Sequence, residues 1–500
     1  MEAWPNLLAG FSVALTPLNL GLAFLGSMFG MVVGILPGFG PAAALALLLP
    51  LTYNLGPASA VLTLAAIMCG AQFGGSITAI LLNIPGEASS VATCIDGYQM
   101  AKQGRAGAAL GIAAIGSFIG AGLALLLLTF TAPVIVRLAW AFGPVEFFSL
   151  TVLGLGLVTG LAGKSIIKGM IGAVFGLMIG IVGIDPAVGV PRFTFGFVQL
   201  LDGINFISVI MGLFGVSELL IGLEEMQTIK SVTKVGSIWP TRTDFKRSLL
   251  PIIRGSGIGF LIGLLPGSPG AVCSFTSYVT EKKLSRHPQE FGHGAIEGVA
   301  GPESANNALS ISSMIPLFTL GIPTSASSAI MMGAFMINGI IPGPLLFQEH
   351  PGVIWGIIAS MYVANVILII LNIPLVGIWI KLLQIPYRFL FPIIMAFMVI
   401  GSYSVNTSTF DVFMMLGFGL IGYVFRKIDI PLAPIALTLI LGSMMEKSFR
   451  RALMMSNGNM EIFLDSPLSA ALLGIALLVF ILSLVKEYLA FMARKKMARL

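Results

Sequence analysis

The chain has 500 residues, of which 57% are apolar and only 10% charged. A soluble domain carries roughly 25% charged residues, so 27 Lys and Arg with 21 Asp and Glu are too few to clothe a globular surface of this size. The composition excludes a soluble enzyme and predicts an all-α polytopic membrane protein, because backbone in hydrocarbon must satisfy its own hydrogen bonds.

The net charge of +6 gathers in loops, at Lys230, Lys234, Arg242, Lys246, Arg247 and Arg254, and in the tail, at Arg494, Lys495, Lys496 and Arg499. Retention of Lys and Arg in cytoplasmic segments accounts for this better than nucleic-acid binding does. It predicts a multi-pass protein of the bacterial inner membrane with a cytoplasmic C-terminus. Cys69, Cys94 and Cys273 have no metal-like spacing and read as small buried hydrophobes. Met1-Glu2-Ala3-Trp4 lacks the positive start of a cleavable signal, so the first apolar stretch is expected to be retained.

Taken in order, apolar runs of spanning length, about 20 residues, lie near 7–36, 57–83, 107–132, 145–162, 165–184, 204–223, 303–322, 353–372, 388–404, 408–425 and 467–490. Pieces near 40–51, 269–280, 326–343 and 430–445 are shorter or broken. The expectation is about 11–15 membrane segments, some of them re-entrant or broken helices. The polar stretch 224–248 reads as a cytoplasmic linker between a first half, 1–223, and a second, 249–500.

The halves repeat each other. Gly26-Ser27-Met28-Phe29-Gly30 runs on to Gly34, Leu36, Pro37 and Gly38; 229 residues later, Gly255-Ser256-Gly257-Ile258-Gly259 runs on to Gly263, Leu265, Pro266 and Gly267. Eight of the seventeen residues in 26–42 and 255–271 are identical. A second pair follows: Ile84-Pro85-Gly86-Glu87-Ala88-Ser89-Ser90 against Ile322-Pro323-Thr324-Ser325-Ala326-Ser327-Ser328. Arg254, Lys282, Lys283 and Arg286 bracket the second copy, whereas 5–25 and 50–60 are almost free of charge. The second motif therefore enters from the cytoplasm and the first from outside, which makes an inverted-topology repeat. The piece 255–266, about 18 Å of helix, is expected to reach only half-way through the bilayer.

Glycine at every fourth position permits close helix contact, and packing alone explains Gly26, Gly30, Gly255 and Gly259. The breaks at 34–41 and 263–270, and at 83–90 and 321–328, carry more. Proline removes a donor and glycine tolerates positive φ, so backbone is freed in mid-membrane, and matched breaks in two halves mark a transporter binding site. The candidate substrate-binding residues are Gly38, Gly40, Asn83, Ser89, Ser90, Gly267, Ser268, Asn306, Asn307, Thr324, Ser325, Ser327 and Ser328. Hydroxyls beside a new helix N-terminus suit a carboxylate, and they equally suit helix capping. Glu87 and Glu303 are the candidate ion-coupling carboxylates, Asn306 and Asn307 being site groups or interhelical glue. Glu218 reads as an interfacial residue near a helix end. Val158-Thr159-Gly160-Leu161-Ala162-Gly163-Lys164-Ser165 lacks the first glycine of a phosphate-binding loop. The three histidines lie in loops, and no nucleophile or metal-ligand arrangement is present, so neither enzyme nor cofactor is expected.

These residues resemble the large transmembrane subunit, TctA type, of tripartite tricarboxylate transporters. The resemblance rests on Gly34-Ile35-Leu36-Pro37-Gly38-Phe39-Gly40-Pro41, on Gly74-Gly75-Ser76-Ile77 leading to Asn83-Ile84-Pro85-Gly86, and on Asp96-Gly97-Tyr98. It continues in Leu265-Pro266-Gly267, Pro302-Glu303-Ser304-Ala305-Asn306-Asn307 and Gly321-Ile322-Pro323, and so spans nearly the whole chain. It implies a secondary transporter driven by Na+ or H+. Its implied partners are a small four-helix membrane subunit and a periplasmic solute-binding protein that delivers citrate or a related carboxylate. An ion channel or cation exchanger without an organic substrate is the competing reading.

Overall fold

The computed structural model describes residues 3–36, 38–139, 142–161, 165–185, 188–224, 235–267, 270–383, 385 and 387–497. The first half begins with α1 (Ala3–Ala14), α2 (Pro17–Gly34), α3 (Pro41–Leu48), α4 (Pro57–Leu82), α5 (Val91–Lys102) and α6 (Ala106–Ala139). It continues with α7 (Pro144–Leu161), α8 (Ile166–Gly180), a two-stranded β1–β2 ribbon (Gly183–Ile184, Pro191–Arg192), α9 (Phe206–Ile210), a π-turn segment and α10 (Ser217–Glu224). The second half holds α11 (Arg242–Gly263), α12 (Gly270–Leu284), α13 (Glu297–Ser312), α14 (Met314–Leu320), α15 (Ala326–Ile337), α16 (Leu346–Glu349) and α17 (Pro351–Asn372). Then come α18 (Val376–Leu382), α19 (Tyr387–Asn406), α20 (Thr409–Lys427), α21 (Leu432–Met455), α22 (Ile462–Asp465) and α23 (Pro467–Met497). Among the described residues nine helices are long and apolar enough to cross a membrane, and four apolar helices are shorter. The chain is a multi-pass, all-α membrane protein.

Several boundaries differ from expectation for local reasons. The run 7–36 is two helices, because Pro17 cannot donate and the Thr16 hydroxyl caps α2 by accepting from the Asn19 N–H at 3.4 Å. The run 303–322 starts earlier, at Glu297, and is interrupted at Ser313. The stretch 430–445 is part of α21, a full 24-residue helix. Most consequentially, the helix ahead of the second break is not a twelve-residue half-span. A Thr241–Asp244 capping box starts α11 at Arg242, so it runs for 22 residues with polar linker sequence in its first turns.

Glycine decides how the core helices pack. A methyl group at Gly30 or Gly34 would enter the Ile67 or Ala71 carbonyl of α4, and one at Gly255 or Gly259 would enter the Gly301 or Ala305 carbonyl of α13. Contacts ascend together along both chains, so α2 runs parallel to α4 and α11 parallel to α13. The two pairs face each other the other way round. Gln72 of α4 meets Asn306 and Ser310 of α13, while Ser76, one turn on, meets Glu303; α4 and α13 are antiparallel. Around them α17 packs on α2 and α4, and α6 packs on α11 and α13. Outside this core, α21 packs on α7 and α8, and α20 on the π segment between α9 and α10.

One carboxylate in the middle of α5 ties the halves together. Asp96 is fully buried; its Oδ1 accepts from the N–H groups of Gly292, Gly294 and Ala295 at 2.8, 2.7 and 3.0 Å, and its Oδ2 from the Tyr278 hydroxyl at 2.9 Å.

Two stability predictions follow from this packing. Gly259→Ala should cost about 1–3 kcal/mol by overpacking, whereas Gly257→Ala, with nothing within 4 Å of the new methyl, should be neutral in thermal unfolding. Equal effects would sink the close-contact account. Asp96→Ala strands three buried donors and should cost about 3 kcal/mol or more, read as faster proteolysis of the 285–296 loop; unchanged cleavage would contradict the clamp.

Candidate functional site

Both second breaks are built alike. α4 ends on Asn83 at φ 58 and α14 on Gly321 at φ 68, both left-handed caps. After Pro85 and Pro323 the chain resumes helix at Glu87 and Ser325, each the N-cap of a capping box closed by Ser90 and Ser328. The Ser328 hydroxyl accepts from the N–H groups of Thr324 and Ser325 at 2.9 and 2.8 Å, and the Ser90 hydroxyl from that of Glu87 at 3.2 Å. Asn83, Ser90, Ser325 and Ser328 are therefore occupied in shaping backbone.

The hydroxyl one residue earlier in each motif is not. Ser89 is 5% exposed, and apart from the nearby Glu87 carboxylate its Oγ has no polar group to bond. Its matched residue, Ser327, is half-buried and makes no side-chain hydrogen bond among the described residues. Both sit in the first turn of a resumed helix, where N–H groups lack helical acceptors.

The first breaks are closed by the second ones. Gly38 has φ +85 and Gly267 φ +76, a conformation that a side chain resists. The Gly267 N–H donates to the Thr324 carbonyl at 2.9 Å, and the Thr324 hydroxyl donates to the Gly263 carbonyl at 3.3 Å. In the first half Gly40 lies against the Cβ of Glu87, and Gly86 against the Gly34 carbonyl. Contacts then cross between halves: Gly270 abuts Ser89, and α15 packs on α3. Ser268 and Pro37 lie outside the described residues.

Between the halves lies a polar seam in which, among the described residues, no Lys or Arg is paired with Glu87 or Glu303. The Asn306 amide donates to Glu87 Oε1 at 2.9 Å. Gln72 sits beside it, and with its nitrogen toward Glu87 it donates to that carboxylate while accepting from Ser310. Gln72 and Ser310 are 238 residues apart, the same spacing that separates Ile84 from Ile322, so matched positions of the two halves meet each other here. One turn away, Glu303 is 1% exposed and accepts from Thr93 at 2.5 Å, Ser76 at 2.6 Å and Ser117 at 3.4 Å. Asn307 donates to Ser117 at 2.7 Å and to the Glu303 carbonyl at 3.1 Å, which makes it a support for Glu303.

Reading of the sequence missed several of these residues. Gln72 and Ser76 in α4 and Ser117 in α6 stand among apolar residues, while Thr93 and Ser310 lie among other polar residues of α5 and α13, and neither setting marked them. Glu218 is corrected: it is buried, its carboxylate points at Gly38, and it pairs with Arg426. Its placement one helix end from the linker conceals that α10 packs its first turn inward.

The comparisons with known proteins agree with this architecture. The tripartite tricarboxylate transporter TctA family model matches residues 20–437. An uncharacterized 52.8 kDa protein from the TAR-I ttuC' 3' region of Agrobacterium vitis is 47% identical over 486 residues, 97% of each chain. A second uncharacterized protein, from the TAR-II ttuC' 3' region of the same organism, is 50% identical over 227 residues, 45% of this chain and 94% of that protein. No solved structure matches. With paired helix breaks packed around a polar seam, and a family match over most of its length, the chain belongs to the tripartite tricarboxylate transporter TctA family and is a component of such a transporter.

Proposed function

We propose that this chain is the solute-carrying subunit. It would import a tricarboxylate or related organic anion, such as citrate, handed over by a periplasmic solute-binding protein and accompanied by a small four-helix membrane subunit. An inward gradient of Na+ or H+ drives the cycle, and the two halves form an inverted repeat. The antiparallel course of α4 and α13, and the meeting of Gln72 with Ser310, support that symmetry.

The observation that carries the reading is the matched pair of unused hydroxyls. Ser89 and Ser327 stand in the first turn after each second break, while their neighbours Ser90 and Ser328 are consumed by capping. Two helix N-termini with free donors hold a carboxylate without a fixed positive charge. Glu87 and the amides of Asn306 and Gln72 lie at the same seam, where a coupling cation or proton offsets the negative charge of the anion. Asn306 is thus a bridge to Glu87 first, and its effect on substrate is exerted through that carboxylate.

Proteoliposomes holding the three subunits should accumulate labelled tricarboxylate under an imposed ion gradient, in a manner that requires the binding protein; no accumulation of any di- or tricarboxylate would defeat the proposal. Ser327→Ala should raise KM about tenfold to a hundredfold, the equivalent of one hydrogen bond to a charged group at about 1.5–3 kcal/mol, at unchanged melting temperature. Ser328→Ala should instead cost about 1 kcal/mol of stability through its lost cap. A Ser327 variant that loses stability with no change in KM would return this hydroxyl to a packing role.

A further inference from the structure

Among the described residues the buried Glu303 has no ion pair, as buried Asp96 and half-buried Glu87 have none, but its carboxylate is met by side-chain hydroxyls alone, where Asp96 is met mainly by backbone N–H groups and Glu87 by side-chain amides. Glu218 has Arg426, Glu281 has Arg254 and Glu297 has Arg247, whereas Glu303 forms no ion pair among the described residues. Its partners are three hydroxyls from three helices of the other half: Ser76 on α4, Thr93 on α5 and Ser117 on α6. An ionised carboxylate buried without a counter-charge is strongly unfavourable. A hydroxyl, however, both donates and accepts. The same cage holds COO− with three donors turned inward, and COOH once one hydroxyl turns to accept.

The remaining titratable and charged groups around it are few. From α5 come Cys94 and, at the start of its preceding turn, Glu87. From α11 and α12 comes the Arg254–Glu281 pair, with Glu281 against Gly301, and its two-point contact at 3.0 and 2.5 Å leaves no cation for Glu303. Both Glu303 oxygens are already met by hydroxyl groups at 2.5 and 2.6 Å, so a metal cation would need the hydroxyls to turn their oxygens inward and the cage to widen. A proton would need only one of them to turn. Beside the cage lies a cavity of about 10 Å³ lined by Ser76 and Ser117 together with Phe73, Ile77 and Asn372. That is room for one water, touching two of the three hydroxyls.

We propose that Glu303 is a proton-binding site of the carrier, a carboxyl that takes H+ from water in one orientation of the halves and returns it to water in the other. The O–H bond formed and broken is that of the Glu303 carboxyl, and no other reactant is needed. Its role in driving uptake rests on the transport reading above; the proton site itself does not. Because the acid is on α13 and the hydroxyls on α4, α5 and α6, gain or loss of the proton re-sets hydrogen bonds across the interface between halves.

Two measurements on the full-length chain test this. In infrared difference spectra between acidic and alkaline pH, the wild type should show a carboxylic-acid band that Glu303→Gln removes and that added Na+ at constant pH leaves in place. A band indifferent to Glu303→Gln overturns the proposal, and a band abolished by Na+ overturns it in favour of a cation site. Should Glu303→Gln fail to fold, Thr93→Val must shift the band; an unshifted band is equally fatal. In proteoliposomes with the partner subunits, Glu303→Gln should lose accumulation driven by a pH gradient and keep exchange of labelled for unlabelled tricarboxylate. Accumulation equal to wild type, or joint loss of both activities in a folded variant, overturns the coupling role. If wild type itself moves no carboxylate, the transport reading fails and the infrared result still decides the proton site.

Discussion

A helix broken inside a bilayer releases N–H and C=O groups that have no water to turn to, at several kcal/mol each if left unpaired. The described helices α2, α4, α11 and α14 each end at such a motif, and neighbouring groups supply partners for part of the backbone freed there. Thr324 serves both sides of the second hairpin tip, donating to Gly263 and accepting from Gly267. Ser90 and Ser328 close the helices that resume after the other two breaks. In the second half the two break motifs are thus joined by hydrogen bonds, while in the first half they meet by close packing of Gly86 on the Gly34 carbonyl.

The same requirement explains the glycine ladders. To bring Thr324 against Gly263, or Gly86 against Gly34, the helices carrying the breaks must approach at backbone distance. Gly30, Gly34, Gly255 and Gly259 provide that approach against carbonyls of α4 and α13. Packing and site formation are then one geometric fact seen at two places. What is left after the backbone has been satisfied is small: two first-turn hydroxyls, the Glu87–Asn306–Gln72 cluster and the Glu303 cage. Among the described residues these groups meet across the seam through hydrogen bonds and not through ion pairs.

Much of this was legible before any coordinates. The low charge and long apolar runs required helices in lipid, and the repeated Leu-Pro-Gly and Ile-Pro motifs stand where α2, α4, α11 and α14 end. Competing roles were harder to separate. Ser90, Ser325 and Ser328 carry the same hydroxyl as Ser89 and Ser327, and a one-residue difference in helical phase decides which hydroxyl caps and which is left over. The half-length hairpin was misjudged because Thr241 and Asp244, polar and outside the apolar run, start α11 two turns or more before the hydrophobic stretch begins.

By itself the amino-acid order determined the class of fold and raised the expectation of matched helix breaks, because both depend on local quantities: transfer free energy per residue, the missing donor of proline and the φ freedom of glycine. Only the tertiary structure decided that Glu303 meets Ser76, Thr93 and Ser117, that Glu218 turns inward to Gly38, and that Gln72 faces Ser310 across the two halves. Those partners are separated by some 180 to 240 residues of chain, and a single polar residue in an apolar helix carries no mark of which distant hydroxyl or carboxylate it will meet.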